Sequence, residues 1–247
     1  MWEDLILFIA IGFAAQIVDG AVGMAYGLTA SSVLLSTGVP PSVTSASVHA
    51  AEVFTTGISG ASHWKVGNVR WNLVWRLALP GMVGGAIGAY VLTQIPVDII
   101  KPAISIYLII MGGWILWQAL RPRVPADAPP RLVPVIGLGG GFVDAIGGGG
   151  WGPVVTTTLL GQGTKARYTI GSVNAAEFFV TLTISFTFMA TIGLDLWPII
   201  LGLIIGGALA APLAALLAKH LPDRALMLLV GAVIILLSVR TIVHTFT

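Results

Sequence analysis

Four carboxylates stand inside runs that are otherwise apolar or small: Asp19, Glu52, Asp144 and Glu177. Two of them open glycine-rich breaks, Asp19-Gly20-Ala21-Val22-Gly23-Met24-Ala25-Tyr26-Gly27 and Asp144-Ala145-Ile146-Gly147-Gly148-Gly149-Gly150-Trp151-Gly152. The other two close related stretches, Ser47-Val48-His49-Ala50-Ala51-Glu52 and Ser172-Val173-Asn174-Ala175-Ala176-Glu177. No Lys or Arg lies among them to neutralise the charge. Acids so placed must carry a proton, accept hydrogen bonds from free backbone N–H groups and hydroxyls, or pair with a bound cation. Asp19, His49, Glu52, Asp144 and Glu177 are therefore the candidate coupling or gating residues. The bland alternative is that the aspartates cap the helix that follows each break and the glutamates bond its backbone. His49 shares a helix face with Glu52, either as a titrating group or as a packing histidine. Asn174 at the equivalent position and the lack of cysteine argue against a dedicated zinc site, so no metal is expected.

The glycines supply the complementary chemistry. Gly20, Gly23 and Gly27, and Gly147, Gly148, Gly149 and Gly150 with Gly152, permit positive φ and leave backbone N–H groups bare. A helix starting there adds the positive end of its dipole, which attracts an anion without a buried Lys or Arg. Thr29, Ser31 and Ser32, then Thr156, Thr157 and Thr158, can donate to an oxyanion or bond the carbonyl one turn back. Tyr26 and Trp151 are placed to line or gate a cavity. The candidate substrate-binding residues are Gly20, Gly23, Tyr26, Gly27, Thr29, Ser32, Gly147, Gly148, Gly149, Gly150, Trp151, Thr156 and Asn174.

The elements that must position these groups are membrane helices. Of 247 residues 56% are hydrophobic and 9% charged, against about 25% charged in a water-soluble domain, and the mean hydropathy is +0.96. An acid at membrane depth costs about 2.5–3.5 kcal/mol on insertion scales, which is why it reads as functional by default. The start, Met1-Trp2-Glu3-Asp4-Leu5, carries acids where a secretory signal has basic residues, so the N-terminus is expected to be retained. With no cysteine, disulfides and thiol chemistry are excluded. A phosphate-binding loop with its Lys, HExxH, GxSxG and a basic nucleic-acid-binding patch are all missing. The expectation is accordingly neither an enzyme nor a nucleic-acid partner, and no cofactor.

The chain divides into a first repeat over 1–120, a Pro/Arg linker at 121–131 and a second repeat over 132–247. A gapless shift of 125 residues, the separation of Asp19 from Asp144, also superposes Gly23 on Gly148, Gly27 on Gly152, Thr44 on Thr169 and Ala50-Ala51-Glu52 on Ala175-Ala176-Glu177. One offset that aligns acids, glycines and an Ala-Ala-Glu marks an internal duplication. Single crossings are expected over 43–63, 71–94, 98–119, 168–191, 196–218 and 222–243, each about the 20 residues a spanning helix needs. Segments 5–36 and 132–160 are too long for one crossing and are broken by glycine. The four glycines Gly81, Gly84, Gly85 and Gly88, answered by Gly202, Gly206 and Gly207, read as helix-packing positions.

Charge placement bears on topology. Eight plain crossings, the alternative, divide Lys and Arg almost evenly between the two sides. If 5–36 and 132–160 are instead re-entrant hairpins, the basic residues of 64–76, 121–131, 163–167 and 219–224 share one side and only Lys101 and Arg240 lie opposite. That obeys the positive-inside rule and makes those loops cytoplasmic. Leu5 to Val18 would give a first leg of about 21 Å, short of a hydrocarbon core of about 30 Å. The fold expected is all-α, two inverted repeats of one hairpin and three transmembrane helices, with tips meeting near the midplane.

The Val18-Asp19-Gly20 break with Gly23, the Ser47–Glu52 stretch, and their copies at Val143-Asp144, Gly147–Gly150 and Asn174–Glu177 resemble the TauE/SafE family of sulfite exporters and related anion permeases. The resemblance covers essentially the whole chain. It implies a multi-pass transporter of the bacterial plasma membrane for a small sulfur-containing or organic anion such as sulfite or a sulfonate, with the bilayer and the solute as partners and protons as a possible coupling ion. The rival on the residues alone is a sodium or divalent-metal transporter or channel that uses the buried carboxylates.

Overall fold

Glycine and proline punctuate a chain whose remaining residues favour helix, and every regular element among the described residues is helical. The structure is a computed structural model and describes residues 4–22, 24–120, 130–193, 196–217 and 223–246. Helix α1 (Leu5–Val22) is followed after a short break by α2 (Tyr26–Ser36). Then come α3 (Pro41–Lys65), which takes Pro41 at its first position where the missing N–H is harmless, α4 (Trp71–Gln94) and α5 (Val97–Leu120). The second half repeats the order: α6 (Val133–Gly147), a π-helical turn (Gly152–Thr156) running into α7 (Thr157–Gly161), α8 (Ala166–Ile192), α9 (Trp197–Leu217) and α10 (Asp223–Phe246).

Among the described residues four helices are long and apolar enough to cross a membrane: Trp71–Gln94, Val97–Leu120, Ala166–Ile192 and Met227–Thr245. Shorter apolar helices cover Leu5–Asp19, Val133–Gly147 and Trp197–Ala211. Two of the expected crossings are not among these four: α9, whose apolar stretch Trp197–Ala211 is shorter, and α3. Its 25 residues would reach about 37 Å at 1.5 Å each, but Thr44, Ser45, Ser47, His49, Glu52 and Thr56 make it too polar to qualify. All six are buried within the protein, so the polarity faces inward.

Two sequence expectations need correction. Helix α1 does not stop at Asp19 but continues to Val22, so the break falls about one turn later than the acid. Gly20 is carried inside the helix, at an ordinary propensity cost. In the second half the break begins at Gly148, whose φ of 68° is followed by 145° at Gly149 and 146° at Gly150. Those three residues need the conformational range of glycine. The π-helical turn was not foreseen, and Pro153 within it brings no N–H to a regular ladder. Of the Pro/Arg linker at 121–131, residues 121–129 lie outside the described residues.

The halves interlock. Helix α1 packs along α9 and α6 along α4, so each half's first helix rests on the other half's fourth element; α3 packs on α8 and α5 on α10. Glycines allow these approaches. A Cβ on Gly88 of α4 would sit 2.5 Å from the Phe142 carbonyl oxygen, and one on Gly202 of α9 would sit 3.0 Å from the Phe8 carbonyl carbon. At one end, the turn after α3 is tied to the start of α8: Arg167 donates to Asn68 and to the Val66 carbonyl, and the Arg70 N–H donates to Ser172 at 2.9 Å. Tyr168 lies beneath the Arg70 guanidinium, 4.2 Å from its ring centre, a cation–π contact.

Candidate functional site

The site is built where the two breaks touch. A Cβ on Gly27 would lie 2.7 Å from the Gly149 Cα and 2.8 Å from Glu52 Oε1. Hydrogen bonds fasten the same region: Ser31 donates to the Gly148 carbonyl, Ser45 to the Ala145 carbonyl at 2.6 Å, and Tyr107 of α5 to the Gly149 carbonyl at 3.0 Å. Each aspartate reaches across its own break. Asp19 Oδ1 accepts from the N–H groups of Ala25 and Tyr26 at 3.0 and 3.2 Å, and Asp144 Oδ1 accepts from the Trp151 N–H at 2.9 Å. These are capping contacts made from one turn before the break. Replacing Asp19 with alanine is expected to cost about 1 kcal/mol of stability, while asparagine, which keeps the acceptor, retains most of it; thermal unfolding of the purified protein checks both.

Asp144 has a second contact without parallel at Asp19. Its Oδ2 lies 3.2 Å from His49 Nε2, and both side chains are fully buried. His49 Nδ1 is 2.8 Å from the Ser45 carbonyl oxygen, a contact that requires an N–H on Nδ1. Nε2 then faces a carboxylate oxygen, so a hydrogen must lie between them, on one partner or the other. The repeat-related Asn174 instead donates to the Ile170 carbonyl at 3.1 Å.

Beside the touching breaks is a cavity of about 270 Å³. Helix α3 contributes Glu52, Thr55, Thr56, Ser59 and His63, and α8 contributes Ile170, Val173, Asn174 and Glu177. Both sets recur at steps of three and four, which places each on one helix face. Asp19, Tyr26, Gly27, Gly150 and Thr156 also line it, with Gln16, Met24, Leu28, Gly152 and Pro153. From Glu52 to His63 the helix rises about 16 Å, so the cavity runs from the breaks to the end where Arg167 meets Asn68. His63 is half-buried there and its Nδ1 is 3.1 Å from the Asn68 amide nitrogen.

Eight sequence candidates thus face one space: Asp19, Tyr26, Gly27, Glu52, Gly150, Thr156, Asn174 and Glu177. His49 and Asp144 lie behind it, and so does Trp151, whose indole donates to the Val173 carbonyl at 3.3 Å. Gly147, Gly148 and Gly149 form the break itself. Thr29 is buried with its hydroxyl unpartnered, and Ser32 bonds the Leu28 carbonyl one turn back at 2.7 Å. Thr157 and Thr158 likewise bond Pro153 and Val154. Gly23 lies outside the described residues, and Gly20 is described only as backbone of α1. Gln16, Thr55, Thr56, Ser59 and His63 were not anticipated, although the spacing from Glu52 along α3 carried the signal.

The repeat-related glutamates differ. Glu52 is 5% exposed, holds Oε1 against the Gly27 backbone, and leaves Oε2 buried without a partner among the described residues. Glu177 is half-buried, and among the described residues it has no hydrogen-bond partner. No Lys or Arg lines the cavity among the described residues. Nor does any group of three His, Asp or Glu among them come together as a metal site.

Comparison with known proteins adds two findings. The family described as "Sulfite exporter TauE/SafE" matches residues 8–241. The chain is also similar to a "Probable membrane transporter protein YtnM" of Bacillus subtilis (strain 168), at 42% identity over 252 residues, covering 98% of this chain and 84% of that protein. No solved structure is significantly similar. With its helices long enough to span a bilayer and a family match over almost its whole length, the chain belongs to the TauE/SafE sulfite exporter family.

Proposed function

We propose that the protein is a secondary transporter that carries a small sulfur-containing or organic anion across the plasma membrane by alternating access. The solute sits in the cavity between two re-entrant hairpins, α1–α2 and α6 with α7, that belong to inverted repeats. One observation carries the topology. Arg167 bonds Asn68 and Val66, so the loops 64–76 and 163–167 share an end of the molecule. Hairpins require that, and eight plain crossings would separate them. The basic loops make this end cytoplasmic. The depth of the breaks, about 16 Å from that end along α3, supports a site near the middle of a core of about 30 Å.

The donors available to an anion are few, because Asp19 already takes the Ala25 and Tyr26 N–H groups at the start of α2. Asn174, the hydroxyls of Ser59 and Thr156, and the glutamates in protonated form remain, whereas Thr55 already donates to the Glu52 carbonyl. Binding of an anion is therefore expected to bring protons with it.

The second reading, a cation transporter or channel, is favoured by the three carboxylates Asp19, Glu52 and Glu177 on one cavity. Thermal unfolding separates the two. Sulfite or methanesulfonate at 100 times its dissociation constant is expected to stabilise the purified protein by about 2.7 kcal/mol, with sodium salts of inert anions giving no shift. Stabilisation by sodium alone would transfer the assignment to a cation.

A further inference from the structure

We propose that the two repeat-related glutamates have parted roles: Glu177 meets the solute through its carboxyl proton, and Glu52 is a positioning residue for the α2 tip. The proposal rests on the anion reading given above. Duplication placed both acids at one register of equivalent helices, Ala50-Ala51-Glu52 and Ala175-Ala176-Glu177, yet their surroundings differ in kind. Glu52 is wedged behind the tip, where a Cβ on Gly27 would come within 2.8 Å of Oε1. Its exposure of 5% leaves little surface for a solute to touch.

Glu177 is open to the cavity and uncommitted. It lies one turn beyond Asn174, whose amide keeps a second N–H free after bonding Ile170. An anion set against Asn174 must therefore meet the Glu177 carboxyl, and two oxygens that both lack a hydrogen repel. A protonated Glu177 turns that contact into a hydrogen bond. The same divergence marks the preceding turn, where His49 is sequestered with Asp144 while Asn174 faces the cavity. One helix of the pair holds the tips and the other reads the solute.

The other titratable groups around Glu177 are Asp19 from α1, Tyr26 from α2, and Glu52 and His63 from α3, with Asp144 of α6 behind them on His49. None donates to Glu177, so its proton is available to the solute. Solute binding should then take up a proton, and affinity should rise as pH falls.

The test is thermal unfolding of the purified full-length protein with methanesulfonate, whose own charge stays fixed from mildly acidic to mildly alkaline pH. For the wild type, the shift is expected to grow as pH falls. Glu177→Gln, whose amide always donates, should keep the acid-pH shift but lose its pH dependence. Glu52→Gln should lower the solute-free melting temperature and retain the pH dependence, as should His63→Gln. Wild-type pH dependence in E177Q, or its loss in E52Q instead, overturns the division of roles. If E177Q does not fold, Glu177→Asp serves: a shortened acid should weaken binding several-fold with pH dependence kept, and unweakened binding counts against the proposal. No shift of the wild type with methanesulfonate, sulfite or acetate overturns the anion reading and the proposal with it. A wild-type shift that E177Q leaves unaltered overturns the proposal alone.

Discussion

Replacing Gly149 with alanine is expected to destabilise the protein by about 4 kcal/mol, from two separate causes. The φ of 145° at Gly149 lies where an L side chain costs about 1–3 kcal/mol. The added methyl would also come within 2.5 Å of the Leu28 nitrogen and 2.6 Å of the Gly27 Cα, and overpacking costs about 1–3 kcal/mol more. Neither neighbour can yield, because both are backbone at the start of α2. Gly139, on the same α6 helix, has open space where a Cβ would stand, so Gly139→Ala should be neutral or stabilising by up to about 1 kcal/mol. Thermal unfolding of the two variants in detergent, with wild type alongside, measures the difference. Similar melting temperatures for both would mean that the breaks do not abut.

The second large effect is expected at Asp144. Leaving a buried hydrogen-bonding group without its partner costs about 1–3 kcal/mol for each group stranded. Asp144→Ala strands His49 Nε2 and the Trp151 N–H together. Asparagine behaves differently: its oxygen can still accept from Trp151, and its amide can donate to a neutral His49 whose Nδ1 carries the hydrogen. A loss of about 1 kcal/mol is expected for Asp144→Asn. A double-mutant cycle with His49→Ala should give a coupling of about 0.5–3 kcal/mol, and a coupling of zero would show that the pair contributes nothing. Asp19, which has only its two backbone donors, should be less sensitive than Asp144 to the same change.

Much of this architecture could be read from the sequence, for identifiable reasons. Composition alone points to membrane helices, and the offset of 125 residues singled out Asp19 and Asp144, the two acids that each accept backbone N–H groups across a break. The glycine runs marked the breaks because positive φ at Gly148, Gly149 and Gly150 leaves few other residues possible. Position within a turn was less legible. Asp19 serves the α2 backbone from inside α1, since a carboxylate can reach across a break that it does not occupy. The asymmetry between copies was also hidden: whether His49 faces a cavity or Asp144 depends on which helix packs behind it, and that is tertiary information. The polar face of α3 was present as a spacing, yet a hydropathy average across the segment conceals a stripe that points inward.

The exchange of first helices between the halves has a consequence for biogenesis. Helix α1 leaves the ribosome before the helices that follow it, but α9, against which Gly12 and Phe8 pack, is made only after α2 to α8. Until α9 has been made, α1 stands without its mate, its close-packing face uncovered. The first half therefore cannot complete its own fold while the second is being translated, as an independent N-terminal domain would. Assembly has to wait for nearly the full chain. A chain truncated before Trp197 would leave α1 unpartnered, a substrate for membrane quality control.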